Sequence, residues 1–254
     1  GDFPPIALSF TRWLLAFALL LPFVWRSLPA ALQALRGRWL LMILTSALGV
    51  GCYNSLLYLA LETSTAVNTT LIGASAPVMA LVTGAVFFAS PVRGEQWFGA
   101  GLSLIGVLVV ITRGDPASIA QWQLDRGDLI MVLATSIWAV YTWLLRTQRP
   151  AVAAAPFLAL LISLGALMIF PFAVVEYLWT GRLPAANAAN LAALLYVAIF
   201  PSLVAYFCWD RGVARVGAVV PMYFLNLTPV FAGVLSYVTL GEAIGLYHVL
   251  GGAL

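Results

Sequence analysis

Long apolar runs separated by short polar stretches dominate this chain. The runs cover residues 5–25, 39–61, 65–89, 96–112, 128–146, 154–178, 192–210 and 218–240, and another begins near residue 243. A helix needs about 20 apolar residues to cross the hydrocarbon core of a bilayer, where it satisfies its own backbone hydrogen bonds. Because the runs are continuous and do not alternate with a period of two residues, they predict membrane-spanning helices and not the strands of a barrel.

Composition leads to the same fold class. Apolar residues make up 63% of the 254 positions and charged residues only 8%, whereas a soluble domain carries about a quarter charged residues. This small number of charged residues is enough for the protein surface only if most of that surface faces lipid. We therefore expect an all-α integral membrane protein with the lipid bilayer as a partner. The arginines are scattered singly and form no basic stripe, so we expect no nucleic-acid partner.

The arginines in the loops predict the orientation. Three lie in one set of alternate loops, and eight lie in the other set: Arg26, Arg36, Arg38, Arg93, Arg146, Arg149, Arg211 and Arg215. Because basic residues accumulate in cytoplasmic loops, we expect the loops with eight arginines to face the cytoplasm. The predicted location is the inner membrane of a bacterial cell.

An internal repeat appears when the chain is shifted by 152 residues. The shift aligns SAPVMALVTGAVFF around Pro77 with LTPVFAGVLSYVTL around Pro229, and it places Asn54 opposite Tyr206. Five predicted spans separate the two prolines. Since five is odd, the two copies must cross the membrane in opposite directions. Inverted repeats of this kind are typical of transporters with a binding site near the middle of the membrane.

The repeat also predicts the domain organisation. Residues 1–123 form the first copy and residues 124–254 the second. The span at 128–146 opens the second copy but has no counterpart in the first. We therefore expect a ten-helix bundle whose first helix and end of the tenth are absent from this chain, with both termini of the intact protein in the cytoplasm.

Several short motifs occur in an order and spacing that resemble a known family. They are Arg12-Trp-Leu-Leu-Ala16, Tyr58-Leu-Ala-Leu61, Ala76-Pro77-Val78, Gly127-Asp128, Ser136-Ile-Trp138-Ala139-Val-Tyr141, Thr228-Pro229-Val230 and Gly241-Glu242. The chain resembles the drug/metabolite transporter superfamily, of the EamA type with ten helices in two inverted repeats. One departure is Ser90, where the family usually has a glutamate like Glu242.

The resemblance implies export or exchange of small metabolites. Amino acids and amphipathic drug-like solutes are the commonest substrates of this branch. Sugar and nucleotide-sugar exchangers of the same superfamily are the alternative. A channel is a further alternative, although polar residues here cluster in two repeat-related regions and do not form a continuous file.

Two aromatic residues inside one span are candidates for substrate binding. Trp138 and Tyr141 are three residues apart and therefore share a face of a helix. An indole N–H and a phenol hydroxyl on apolar rings suit an amphipathic solute. The alternatives are packing within the bundle and membership of an interfacial aromatic belt.

Further candidates for substrate binding are polar groups at positions deep in predicted spans: Tyr53, Asn54, Tyr206, Tyr223 and Asn226. Such groups usually face the bundle interior. For the two asparagines, the alternative is a hydrogen bond between helices. Pro77 and Pro229 are candidate hinges because each proline frees a backbone carbonyl one turn back; a static kink is the alternative.

Arg12 is the one basic residue predicted inside a span. It would pair with the carboxylate of a substrate, pair with a carboxylate on another helix, or extend to the membrane surface. The sequence alone does not distinguish between these three interpretations.

The residues give no support to an enzyme. The chain has a single histidine and two cysteines, which lie apart in apolar runs, and it lacks the HExxH and GxSxG motifs. We expect no cofactor and no metal ion. The expected partner is a small-molecule substrate; the oligomeric state stays open, with a monomer among the options.

Overall fold

A computed structural model of the protein describes residues 4–115, 125–148, 150–182, 187–240 and 246–254. Within these ranges the chain is helical and contains no β-strand. The helices of the first part are α1 (Pro5–Val24), α2 (Leu28–Ala34), α3 (Trp39–Ala60), α4 (Ala66–Gly73), α5 (Ala76–Phe87) and α6 (Gly94–Ile111). Those of the second part are α7 (Arg126–Gln148), α8 (Ala154–Thr180), α9 (Ala188–Val216), α10 (Val220–Leu225), α11 (Thr228–Leu240) and α12 (Leu246–Ala253).

The described helices confirm an all-α integral membrane protein. Seven segments of the described residues are long and apolar enough to cross a membrane; one of them, Val220–Thr239, contains α10 and most of α11. The pair α4 and α5 makes an eighth candidate with a 40° bend. The run at 39–61 corresponds to Trp39–Ala60, and the run at 192–210 extends to Ala188–Val216. The motif Gly241-Glu242 and the predicted boundary at residues 123 and 124 lie outside the described residues.

Two of the predicted continuous spans are interrupted. The run at 65–89 breaks between α4, which ends at Gly73, and α5, which begins at Ala76. The run at 218–240 breaks between α10, which ends at Leu225, and α11, which begins at Thr228. Gly73 and Leu225 are 152 residues apart, and so are Ala76 and Thr228. The offset found in the sequence therefore recurs in the backbone.

Proline explains where the two interrupted spans resume. Pro77 and Pro229 are each the second residue of the helix that follows the interruption. Proline has no backbone N–H, and the first turn of a helix is where an N–H is not required. The same residue would disrupt the ladder of hydrogen bonds in an unbroken span.

Two π-helical segments occupy equivalent places in the two predicted repeats. One covers Ala47–Cys52 within α3, and the other covers Ala198–Val204 within α9. Their last residues are again 152 positions apart. A π-helical turn bonds residue i to i+5 and often occurs at functional sites. Both segments therefore change the direction of the side chains that follow them.

The chain forms two compact units. Unit 1 consists of residues Gly1–Leu59 and Leu144–Arg215, and unit 2 consists of Ala60–Trp143 and Val216–Leu254. Each unit contains residues from both predicted repeats, 1–123 and 124–254, and this division of the sequence stays a prediction.

The core of each unit forms where helices approach closely. In unit 1, α8 packs against α1 and against α3, and α1 also packs against the π-helical part of α9. The backbones of α3 and α8 come together at Gly165, where any larger residue would overlap Val50. In unit 2, α6 packs against α4, α5, α11 and α12.

Substituting Gly165 with alanine should destabilise the protein. A Cβ atom at this position would overlap the side chain of Val50 and lie 3.1 Å from the carbonyl oxygen of Ser46, so α3 and α8 would have to separate. Overpacking of this kind costs about 1–3 kcal/mol. We expect a lower melting temperature for the purified protein in detergent.

Gly101→Ala is the matched control because nothing lies within 4 Å of a Cβ built on Gly101. This variant should melt close to the wild type. A Gly165→Ala protein as stable as the wild type would contradict the close contact between α3 and α8.

Candidate functional site

Arg12 is the hub of a buried polar cluster in unit 1. Its side chain is only 3% exposed. The Nε atom donates to Ser202 Oγ at 2.6 Å, and Nη1 donates to Asn54 Oδ1 at 2.9 Å and to the Tyr58 hydroxyl at 2.6 Å. The Nη2 atom lies 3.4 Å from the carbonyl oxygen of Pro201. Arg12 therefore connects α1 to α3 and to α9.

These contacts bear on two of the three interpretations of Arg12. Because the side chain is buried in unit 1, it does not extend to the membrane surface, and that expectation is wrong. Its hydrogen-bond acceptors among the described residues are all uncharged, so none of these contacts is the predicted pairing with a carboxylate on another helix. The guanidinium carbon lies 4.7 Å from the centre of the Trp13 ring, a cation–π contact that further stabilises the charge.

Asn54 and Tyr206 are in direct contact. Asn54 Nδ2 donates to the Tyr206 hydroxyl at 2.8 Å, and this hydroxyl donates to the carbonyl oxygen of Gly49 at 2.6 Å. The Trp13 ring packs edge-on against the Tyr206 ring, with 4.9 Å between the centroids. The two residues that the repeat shift places opposite each other thus meet across α3 and α9, as expected for positions close to a local twofold axis.

The predicted residue Tyr53 precedes Asn54 in α3 and is half-buried. It belongs to the same unit as the Arg12 cluster. The structure thus brings Tyr53, Asn54 and Tyr206 into one unit, and places the other four predicted binding residues in the other unit.

Trp138 and Tyr141 are paired in unit 2, as their spacing predicts. Their ring centroids are 5.0 Å apart, with an angle of 39° between the ring planes. Trp138 is 6% exposed and Tyr141 is 1% exposed. Both side chains are therefore buried in the bundle and do not belong to a lipid-facing aromatic belt.

Tyr223 and Asn226 both bond to α6 or its neighbours. The Tyr223 hydroxyl donates to the carbonyl oxygen of Gln96 at 2.7 Å. Asn226 Nδ2 donates to Ser103 Oγ at 2.8 Å and to the carbonyl oxygen of Ala74 at 3.2 Å. Asn226 and Ala74 are also 152 residues apart. Each unit therefore contains one hydrogen bond between residues that the repeat makes equivalent.

The motif Gly127-Asp128 has a structural role at the start of α7. The Asp128 side chain accepts hydrogen bonds from Ser64 Oγ, from Asn68 Nδ2 at 3.2 Å and from the Asp125 backbone N–H at 2.9 Å. A side chain at Gly127 would overlap the backbone of Ala60 and Ser64. The glycine therefore allows the loop before α4 to approach α7, and the buried carboxylate fixes it there.

The sequence pattern did not single out Glu176, which lies near the end of the long apolar helix α8. Its two carboxylate oxygens accept the backbone N–H groups of Ile6 and Ala7, at 3.1 Å and 2.7 Å. A carboxylate at the start of a helix satisfies free N–H groups and interacts well with the helix dipole. Glu176 also borders a largely apolar cavity of about 460 Å³ in unit 1, between α3 and α8.

Ser202 and Tyr58 were also not predicted as polar contacts. Tyr58 stands in one of the recognised motifs, whereas Ser202 follows Pro201 in a π-helical segment that hydropathy does not reveal. Within the described ranges, histidine, cysteine, aspartate and glutamate do not form a cluster of three or more that would hold a metal ion.

A double-mutant cycle tests the contact between the two repeat-related residues. Asn54→Ala and Tyr206→Phe each remove the hydrogen bond between α3 and α9, so their effects on stability should not add. For hydrogen bonds of this kind within membranes, the coupling free energy is about 0.6 kcal/mol on average and up to about 1.7 kcal/mol. The measurement is unfolding of the four proteins in detergent.

Tyr177→Phe is the control partner because Tyr177 is 44% exposed on α8. Its effect should add to that of Asn54→Ala. Full additivity for Asn54→Ala with Tyr206→Phe would show that the contact contributes nothing to stability.

Comparison with known proteins places these features in a family. The chain matches the EamA-like transporter family over residues 1–112 and 125–254. It is 26% identical to the uncharacterized transporter YyaM of Bacillus subtilis, covering 100% of this chain and 83% of that protein. It is 27% identical to an uncharacterized transporter of Archaeoglobus fulgidus, covering 99% and 85%.

Two further similarities concern function and fold. A probable terminal-alkyne amino-acid exporter of Streptantibioticus cattleyicolor is 26% identical, over 89% of this chain and 74% of the exporter. A solved structure titled "Crystal structure of protein" has a TM-score of 0.77 and 18% identity, covering 100% of this chain and 85% of that one. The solved structure supports the fold alone. From the family match over both parts of the sequence, this chain belongs to the EamA-like transporter family.

Proposed function

We propose that this membrane transporter moves small organic metabolites, with amino acids or amphipathic drug-like solutes as substrates, out of the cell. The mechanism proposed is alternating access to a site near the middle of the inner membrane, with both termini of the intact protein in the cytoplasm. The similarity to a probable amino-acid exporter supports this substrate class.

The observation that carries the proposal is the matched pair of interrupted spans. The interruptions at residues 74–75 and 226–227 are equivalent under the repeat and precede Pro77 and Pro229. Transporters with inverted repeats build their sites from discontinuous helices of this kind. The two prolines are the proposed hinges, since a helix that lacks one turn of hydrogen bonds bends there at little cost.

The proposed contacts with the solute are the predicted residues, which form one set within unit 1 and another within unit 2. Trp138 and Tyr141 offer a paired aromatic surface that suits an apolar or aromatic side chain. Tyr53, Asn54, Tyr206, Tyr223 and Asn226 supply the proposed polar contacts. Arg12 would attract a carboxylate, because a buried cation with uncharged partners gains most from an anion.

The Trp138→Ala substitution tests the proposed aromatic contact. Reconstituted vesicles would be loaded with a panel of amino acids, and counterflow would be measured for each. Loss of one indole face should raise the apparent Km for the transported solute about twofold to tenfold, since an aromatic contact contributes about 0.5–1.5 kcal/mol.

Trp25→Ala is the control because Trp25 is 57% exposed just after the end of α1. It should leave the apparent Km unchanged. An unchanged Km in Trp138→Ala for every transported solute would remove Trp138 from the site. Flux that does not saturate with concentration would favour a channel, and no flux of any solute would refute transport.

Replacing the prolines tests the hinges separately from binding. Pro77→Ala and Pro229→Ala restore the backbone N–H that each helix lacks and should stiffen the bend. We expect a lower maximal transport rate, by about threefold to tenfold, with little change in apparent affinity. Transport rates equal to the wild type in both variants would mean that neither interruption acts as a hinge.

A further inference from the structure

The two interrupted spans meet within unit 2 through one side chain. Asn226 lies in the interruption between α10 and α11, and its Nδ2 atom donates to the carbonyl oxygen of Ala74, which lies in the interruption between α4 and α5. The second donor of the amide bonds to Ser103 Oγ. Both N–H groups of the Asn226 side chain are therefore engaged.

The amide oxygen of the same side chain, in contrast, has no hydrogen bond to the residues that the structure describes. Asn226 is 8% exposed, and its Oδ1 atom is buried and receives no hydrogen bond from any residue that the structure describes. The orientation of the amide is fixed, because turning it would place Oδ1 against the carbonyl oxygen of Ala74. A buried acceptor without a donor is uncommon and is unfavourable for the folded protein.

The carbonyl oxygen of Gly73, the residue before Ala74, lacks its usual helical donor. In a continuous helix the carbonyl of Gly73 would accept from residue 77, but Pro77 has no N–H. The equivalent carbonyl in the other span, that of Leu225, accepts from Thr228 Oγ1 at 2.6 Å. Ala76 stands at the position equivalent to Thr228 and offers no hydroxyl. The two interruptions therefore differ, and the carbonyl that has lost its helical donor without a nearby hydroxyl in its place lies at the end of α4.

Asn226 Oδ1 and the Gly73 carbonyl are both neutral oxygen acceptors, and this chemistry selects the ligand. Amide and carbonyl oxygens suit hard cations and ammonium groups. Binding of a divalent cation normally requires carboxylates, and the hydrogen bonds of Asn226 to the described residues include none. Unwound backbone carbonyls bind monovalent cations in other membrane transporters.

We propose that the paired interruptions of unit 2 form a binding site for one small monovalent cation, with Asn226 Oδ1 and the Gly73 carbonyl as ligands. Two sources share this chemistry: free Na⁺ that would couple to transport, and the ammonium group of a transported solute. The second source rests on the proposed function, whereas the first does not.

The test measures thermal unfolding of the purified chain in detergent at equal ionic strength in sodium chloride, methylammonium chloride or choline chloride. Choline is too large and has no N–H group, so it serves as the reference. A cation that binds only the folded protein should raise the melting temperature by about 2–4 °C at saturating concentration. A rise with sodium identifies the free ion, and a rise with methylammonium alone identifies an ammonium group.

Matched variants show where the cation binds. Asn226→Leu should abolish the rise, because it removes Oδ1 while keeping a similar volume. Asn68→Leu is the control, because Asn68 is also 8% exposed in unit 2 and its amide binds Asp128. It should keep the rise even if its overall stability is lower.

If Asn226→Leu does not fold, Asn226→Asp provides a second test of the cation site. A carboxylate at this position should enlarge the rise by adding a negative charge to the site. The proposal is overturned if neither cation stabilises the wild type relative to choline, or if the rise is the same in the wild type and the Asn226 variants. Because no flux is measured, a failure here is distinct from a failure of transport in vesicles.

Discussion

In the hydrocarbon core of a membrane, every backbone N–H and C=O group needs a partner within the protein. The irregular segments of this chain show how that constraint is met. The carbonyl of Gly49, in one π-helical segment, accepts the Tyr206 hydroxyl, and that of Pro201, in the other, lies next to Arg12. At the interruptions, the carbonyl of Ala74 accepts from Asn226. The polar side chains that make these contacts therefore bond to the backbone where it departs from α-helical geometry.

The repeat gives these polar contacts a common arrangement. Asn54 with Tyr206 in unit 1, and Ala74 with Asn226 in unit 2, are each 152 residues apart and directly bonded. The chemistry on the two sides differs, since an amide meets a phenol in one case and a backbone carbonyl meets an amide in the other. The backbone positions are thus related by the repeat although the side chains at those positions differ. For this reason few residues match when the sequence is shifted by 152 positions.

The sequence predicted the features that depend on local composition. The apolar runs located the spans, although two that were predicted as continuous are interrupted just before Pro77 and Pro229. The spacing of Trp138 and Tyr141 predicted a shared face. Contacts between distant segments could not be predicted in the same way. The position of Arg12 fits a membrane surface as well as a buried cluster until Asn54 and Ser202 are placed beside it, and a single carboxylate such as Glu176 barely changes the hydropathy of a long apolar helix.

The partners of Arg12 impose an order on the biogenesis of the protein. An arginine in the middle of a spanning helix raises the free energy of insertion by about 2.5–3.5 kcal/mol. Its acceptors follow later in the chain, since Asn54 is 42 residues away and Ser202 is 190 residues away. At synthesis rates of about 5–20 residues per second, α1 waits roughly 10–40 seconds for α9. During that interval the charge depends on water, lipid headgroups or insertion factors, so α1 reaches its final place only after the later helices have arrived.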